Sequence, residues 1–142
     1  MKKPFLLLAA LYPAGVGSYT PVQVQKLLFL IQDKVPVLSR SGFNFQAYDY
    51  GPFDKNVYVE LENLQKEGLV RIYEEPGCPW RSYSLTPDGV EKGKEVFNAL
   101  DQTARDTITT LSSFVRALSF SQLVSAVYKA YPEMKENSVF KD

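Results

Sequence analysis

Two carboxylates on either side of a short turn are the residues of this chain best placed for acid–base chemistry. Asp49 and Asp54 bracket Gly51-Pro52. A pair of carboxyl groups can in principle serve as general acid and general base. Turn formation and helix capping explain Asp49 and Asp54 more simply, because aspartate favours both positions. We therefore expect no catalysis at this turn.

The composition removes most other enzyme classes. The chain has 142 residues, no histidine and one cysteine, Cys78. Histidine is the commonest general base, the usual partner of serine and cysteine nucleophiles, and the commonest metal ligand. A zinc site would need carboxylates alone, and neither common glycine-rich phosphate loop is present. We expect a protein that is not an enzyme and holds no metal or cofactor.

Charge and hydropathy restrict the partners and the compartment. Sixteen basic and sixteen acidic residues leave a formal net charge of zero, whereas affinity for nucleic acid comes from neutralising phosphates. A single cysteine fits a reducing cytoplasm. No apolar run approaches the ~20 residues of a membrane span. Residues 1–15 have the form of a signal peptide, but Pro4 near a helix start favours a first core helix.

Aromatic side chains cluster around the same turn. Tyr48, Tyr50 and Phe53 flank Gly51-Pro52. As core residues they would fill the gap between two helices, and as surface residues they would form an adhesive patch, because tyrosine is enriched where partners anchor. Trp80 and Tyr83 raise the same question, as a structural staple or as contact residues. For the turn residues, core packing is the first interpretation and a partner or ligand surface is the second. For Trp80 and Tyr83, a structural staple is the first and a contact role is the second.

Local signals predict the elements that position these residues. Alternation of apolar and polar residues predicts a strand over residues 43–48, and Gly51-Pro52 ends it. Asp54 is predicted to cap a helix that reaches Glu67, and Gly68 to end it. Further helices are predicted over residues 4–12 and 21–34, at Thr86, over 104–118, and from Ser119 or Ser121 to Pro132, with a β-hairpin closed by residues 76–79.

This order of elements predicts a mostly helical α+β domain with a winged-helix-like core. A short strand, a helix, a helix-ending glycine and a β-hairpin wing follow one another from residue 43. We expect one domain over residues 1–142, with the core in 1–101, C-terminal helices in 102–132 and a loose polar tail in 133–142. The fold alone does not determine the function.

DNA recognition is the alternative that a winged helix raises. The helix before the wing would enter the major groove, but it carries two lysines against Asp54, Glu60, Glu62 and Glu67 and has no arginine for a guanine contact. Its acidic face would repel phosphates. A second basic surface would have to draw on scattered residues, namely Lys2, Lys3, Lys26, Lys34 and Arg40. DNA binding is therefore retained but not favoured.

Three segments resemble the Panacea family of SocA-like antitoxins, which has small YwgA-like relatives. They are Gln25-Lys26-Leu27-Leu28-Phe29-Leu30, then Tyr48-Asp49-Tyr50-Gly51-Pro52-Phe53, and the helix Val57 to Leu69 that ends in Gly68-Leu69. Together they cover about residues 20 to 72, and the first two at this separation are the more specific. The C-terminal region departs from the family pattern, since it has no tryptophan-containing end motif.

The resemblance implies a non-catalytic domain that binds a partner protein. Members are associated with neutralising a toxin encoded by an adjacent gene, or with prophage and mobile-element genes. The residues that match the family's motifs by position, and that we link to the feature its members share, are Gln25, Lys26, Tyr50, Gly51, Pro52 and Phe53. Further candidates for partner binding are the aromatic residues expected to be exposed, Tyr48, Tyr58 and Trp80. Two alternatives remain. One is a winged-helix transcriptional regulator that dimerises through its C-terminal helices, and the other is a small-molecule sensor with a pocket among Phe29, Tyr48 and Trp80.

Overall fold

The computed structural model describes residues 2–39 and 42–141, which form six α-helices and two antiparallel strand pairs. In chain order the elements are α1 (Lys3–Leu11), α2 (Pro21–Lys34), β1 (Gln46–Tyr48), β2 (Gly51–Phe53), α3 (Asn56–Lys66), β3 (Val70–Glu74), β4 (Arg81–Leu85), α4 (Pro87–Asn98), α5 (Gln102–Ala117) and α6 (Phe120–Ala130). The predicted fold class, α+β and mostly helical, is confirmed.

The first helix forms the centre of the core. Leu6 to Leu11 are six consecutive residues that are at most 1% exposed, and α1 contacts α2, α3, α4 and α5. A helix that is apolar on every side must be buried on every side. None of the described helices is both long and apolar enough to cross a membrane.

Most helix boundaries follow the local signals. Thr20 and Gln23 form a capping box at the predicted start of α2, and the Thr86 side chain accepts from the Gly89 backbone N–H. Gly68 ends α3 with φ 78°. A methyl group at Gly89 would lie 1.9 Å from the carbonyl oxygen of Leu69. Only glycine fits at this position in the first turn of α4.

The winged-helix arrangement consists of α3 followed by the β3–β4 hairpin, with Val70 opposite Leu85 and Glu74 opposite Arg81. The prediction of a strand from Phe43 is wrong at its start, because the backbone of Phe43 is hydrogen-bonded to the Gln32 side chain instead of a neighbouring strand. The strand begins at Gln46 and pairs with β2. The turn is therefore the end of a small separate hairpin, and Gly51-Pro52 lies in its second strand.

The segment predicted as a loose tail lies against this small hairpin. Val139 donates its backbone N–H to the Asp49 carbonyl at 2.9 Å, and the Asn137 side chain donates to the Ala47 carbonyl at 3.2 Å. Phe140 packs near Phe120 of α6. Residues 137–140 thereby connect the hairpin to the C-terminal helices.

Tyr19 joins α5 to the wing. Its backbone pairs with Tyr83 of β4 in both directions, and its buried hydroxyl lies 2.6 Å from the Ser112 hydroxyl of α5. We expect Tyr19→Phe to lower the free energy of unfolding by about 1–2 kcal/mol, because the buried Ser112 hydroxyl would lose this hydrogen bond. Urea denaturation measures the change.

The half-buried Tyr73 provides the matched control, since Tyr73→Phe removes a hydroxyl outside this pair. In the double variant Tyr19→Phe with Ser112→Ala, both polar partners are absent, so most of the loss should be recovered. A Tyr19→Phe protein as stable as the wild type would show that this hydrogen bond does not stabilise the packing of α5 on the wing.

Candidate functional site

The small hairpin is held on α2 by a side chain that replaces a strand partner. The Gln25 amide donates to the Asp54 carbonyl at 3.0 Å and accepts from the Asp54 backbone N–H at 3.1 Å. Gln25 is 2% exposed, so both bonds are shielded from water. The first two segments of the family resemblance therefore meet in space, and Gln25 has a structural role there.

Asp54 is fully engaged in the same junction. Its carboxylate accepts from the backbone N–H groups of Asn44 at 2.7 Å and Asn56 at 2.9 Å. The prediction that Asp54 occupies the cap position is wrong by one residue, because the cap is Lys55, yet its carboxylate does accept from the first turn of α3. These bonds favour the structural role over an acid–base role.

Lys26 lies on the other side of the hairpin and is almost completely buried. Its side chain is 3% exposed, and it passes beneath Gly51, where an added methyl group would lie 3.4 Å from the lysine Nζ. Gly51 also has φ 111°, a conformation that favours glycine. Burial lowers the pKa of Lys26 to about 8, because removal from water disfavours the charged ammonium.

An open cleft of about 520 Å³ lies above Lys26. We call it the aromatic cleft. Its walls are the start of α2, the small hairpin, Trp80 of the wing loop, and the junction of α5 and α6; its aromatic lining residues are Tyr48, Tyr50, Phe53, Tyr58, Trp80 and Phe120. Such concave, mostly apolar sites with a few polar groups are typical of binding sites.

The aromatic side chains contact one another in two groups. Tyr48 stacks on Phe53 at 5.0 Å between ring centroids, and Phe53 contacts Tyr58 at 5.8 Å. Across the cleft, Tyr50 meets Phe120 edge to face at 5.1 Å. Edge-to-face and offset arrangements are the favourable geometries for aromatic pairs. The cleft walls are thus preformed.

The exposure of these residues decides between the two interpretations of the aromatic cluster. Core packing is wrong for Tyr48 and Tyr50, which are 53% and 43% exposed, because the small hairpin projects them away from α2. Trp80 of the wing loop is 50% exposed and lines the cleft, whereas Tyr83 is buried. Phe53 is half-buried, and Gly51 and Pro52 are buried. Tyr58 is also half-buried, and burial raises its pKa to about 12.

The structure does not bring together the small-molecule pocket or the basic DNA-binding surface that the two alternative functions need. Phe29 packs on Phe45 and Tyr131, so it does not share the cleft with Tyr48 and Trp80. In the scattered basic set, Lys26 is buried and Lys34 lies 3.6 Å from the Asp33 carboxylate. Arg40 lies outside the described residues.

Sequence reasoning missed Phe120, which forms one side of the cleft. It is the first residue of α6 and is 44% exposed. The local pattern there indicates only a helix start. Within the described residues, no three acidic or cysteine side chains converge in a way that could hold a metal ion.

The arginine at the start of β4 is surrounded by acidic residues, as was predicted for the α3 surface. Arg81 lies 3.6 Å from Glu62 of α3 and 3.7 Å from Glu74 of β3, so its charge is partly neutralised by neighbouring carboxylates.

Comparison of the chain with protein-family models finds no matching family, and comparison with curated proteins finds no significant match.

Proposed function

We propose that this chain is a non-catalytic protein-binding domain of the antitoxin-like kind, which binds a partner protein through the aromatic cleft. The observation that carries the proposal is a preformed cleft whose rim exposes Tyr48, Tyr50, Trp80 and Phe120. Exposed aromatic side chains grouped around a concavity are typical of protein interfaces, where tyrosine and tryptophan contribute most of the binding energy.

The partner that follows from the family resemblance is a toxin encoded by an adjacent gene, in a prophage or mobile-element setting. The single cysteine favours a cytoplasmic location. The exposed side of α3, where Val59 is 46% exposed, would extend the contact.

The charges favour a protein partner over DNA. The α3 helix carries Glu60 and Glu62, and Glu67 follows directly after it. The nearest wing arginine, Arg81, is already paired with two carboxylates. Negative charge on the helix that would enter the groove opposes phosphate approach. We expect no gel shift with the upstream region of its own gene at physiological ionic strength, and a specific shift at submicromolar protein would favour the regulator instead.

The cleft is tested with the product of the neighbouring gene as the binding partner. We expect Tyr50→Ala combined with Phe120→Ala to weaken the complex at least 30-fold, on the order of the loss for truncating an interface hot spot. Isothermal titration calorimetry with purified proteins gives the dissociation constants.

Phe114→Ala is the matched control for this experiment. Phe114 lies on α5 outside the cleft and is 42% exposed, against 44% for Phe120. It should leave the affinity unchanged. If the cleft variant remains folded by circular dichroism and binds as tightly as the wild type, the cleft is not the interface.

A further inference from the structure

Lys26 is the one lysine or arginine among the described residues that is buried. None of the ion pairs within residues 2–39 and 42–141 involves it, and burial alone accounts for its lowered pKa. Asp49 also lines the cleft, but it does not offset the lost hydration of the ammonium. A buried charge without a partner is unfavourable, so an incoming anion would gain more here than at the surface.

The position of the ammonium indicates what the anion must be attached to. Lys26 lines the aromatic cleft, and the walls around it are formed by rings such as Phe53 and Tyr58 together with Leu123. A carboxylate carries a single charge that one ammonium can neutralise. A phosphate dianion would bring a second negative charge for which the lining holds no further lysine or arginine, and Asp49 would repel it more strongly than a single charge.

We propose that the aromatic cleft recognises a segment of the partner polypeptide in which a carboxylate lies between aromatic or aliphatic side chains, with the carboxylate bound to Lys26. This inference rests on the proposed function and names the chemistry of the partner. The apolar side chains would pack on the exposed rings of the rim. The carboxylate would supply the counter-charge that Lys26 lacks among the described residues.

The experiment begins with a random peptide library that contains no tryptophan, selected on the full chain. Trp80 is the only tryptophan and lines the cleft, so its fluorescence reports the binding of each synthetic peptide. We expect selected peptides to carry an aspartate or glutamate flanked by apolar residues. Replacing that acid by its amide should weaken binding to the wild type roughly 10- to 100-fold, the usual range for losing a charge-assisted hydrogen bond.

A double-mutant cycle assigns the effect to Lys26. Lys26→Met should bind the acidic peptide as weakly as the wild type binds the amide peptide, and it should not discriminate between the two. Lys66→Met removes an exposed lysine of α3 outside the cleft and should discriminate like the wild type.

The pH dependence provides a second readout. Since Lys26 must be protonated to pair with a carboxylate, affinity for the acidic peptide should fall about tenfold between about pH 7 and about pH 9. The other titratable groups lining the cleft are Asp49, Tyr48, Tyr50 and Tyr58, and all four are kept in Lys26→Met. Lys26→Met should show no such fall.

The outcomes separate the two proposals. Peptides that bind the cleft, lose affinity on Phe120→Ala, and yet show no preference for an acid would overturn the carboxylate inference while supporting the cleft as a binding site. If neither peptides nor the neighbouring gene product bind in a way that Phe120→Ala weakens, the proposed function fails and the inference fails with it.

Discussion

Lys26→Met is expected to raise the free energy of unfolding by about 3 kcal/mol at about pH 7. Burial lowers the pKa of Lys26 from its ordinary 10.5 to about 8, which means that folding disfavours the charged ammonium. Methionine is an unbranched apolar side chain that can fill the space beneath Gly51 without a charge. The lost desolvation penalty should therefore appear as added stability.

The sign of the pH dependence follows from proton binding. Between about pH 8 and pH 10.5 the unfolded wild type holds the Lys26 proton more often than the folded protein does, so wild-type stability from this group rises with pH. Below about pH 8 the penalty is present in full. The advantage of Lys26→Met should shrink to about 1 kcal/mol at about pH 9.5.

Urea denaturation of both proteins at the two pH values measures this difference. Groups such as Tyr58, whose pKa burial raises to about 12, titrate in both proteins and cancel in the comparison. Lys66→Met, at an exposed site, should change stability by no more than about 0.5 kcal/mol. A methionine variant less stable than the wild type would show that the Lys26 ammonium is stabilised in the folded protein. A gap that does not change with pH would show that folding does not lower the pKa of Lys26.

The second large effect concerns Gln25, where we expect Gln25→Leu to destabilise the protein by about 3 kcal/mol. Leucine is of similar size but cannot replace the two hydrogen bonds to the Asp54 backbone. A buried backbone N–H and a buried carbonyl would then have no partner, and each such group costs about 1–3 kcal/mol. The small hairpin should separate from α2, and the aromatic cleft should lose one wall.

Urea denaturation gives the stability change, and amide hydrogen exchange locates it. The Asp54 N–H should exchange faster in Gln25→Leu than in the wild type, because its acceptor has been removed. Gln65→Leu changes an exposed glutamine of α3 and serves as the control. Equal stability of Gln25→Leu and the wild type would mean that the hairpin is held on α2 by packing alone.

Gln25→Leu and Lys26→Met would distinguish a residue that stabilises the fold from a neighbouring residue that binds the partner. Gln25 and Lys26 both belong to the segment that resembles the Panacea family, yet their side chains lie in different surroundings. Gln25 has backbone hydrogen bonds that satisfy it within the fold. Lys26 has no such partner among the described residues, which is why we assign binding to Lys26 and architecture to Gln25.

Sequence patterns predicted the boundaries of helices and strands well wherever the residues that determine a boundary lie within one short segment. The start of α2 at residue 21, Ser119 as one of the two predicted starts of α6, and the glycine after α3 were confirmed. Each depends on hydrogen bonds or backbone angles within a few residues. The start of β1 was wrong because Gln32, distant in sequence, provides the hydrogen bonds of Phe43.

The chain by itself determined a mostly helical α+β domain and the aromatic character of the Tyr48–Phe53 segment, because periodicity, caps and residue type are local properties. Only the tertiary structure decided that Lys26 is buried, that Phe120 faces Tyr50, and that the exposed rings surround one cleft. Those facts depend on how the small hairpin and α6 pack on α2 and on each other. Such packing joins segments far apart in the chain, so no local pattern contains it.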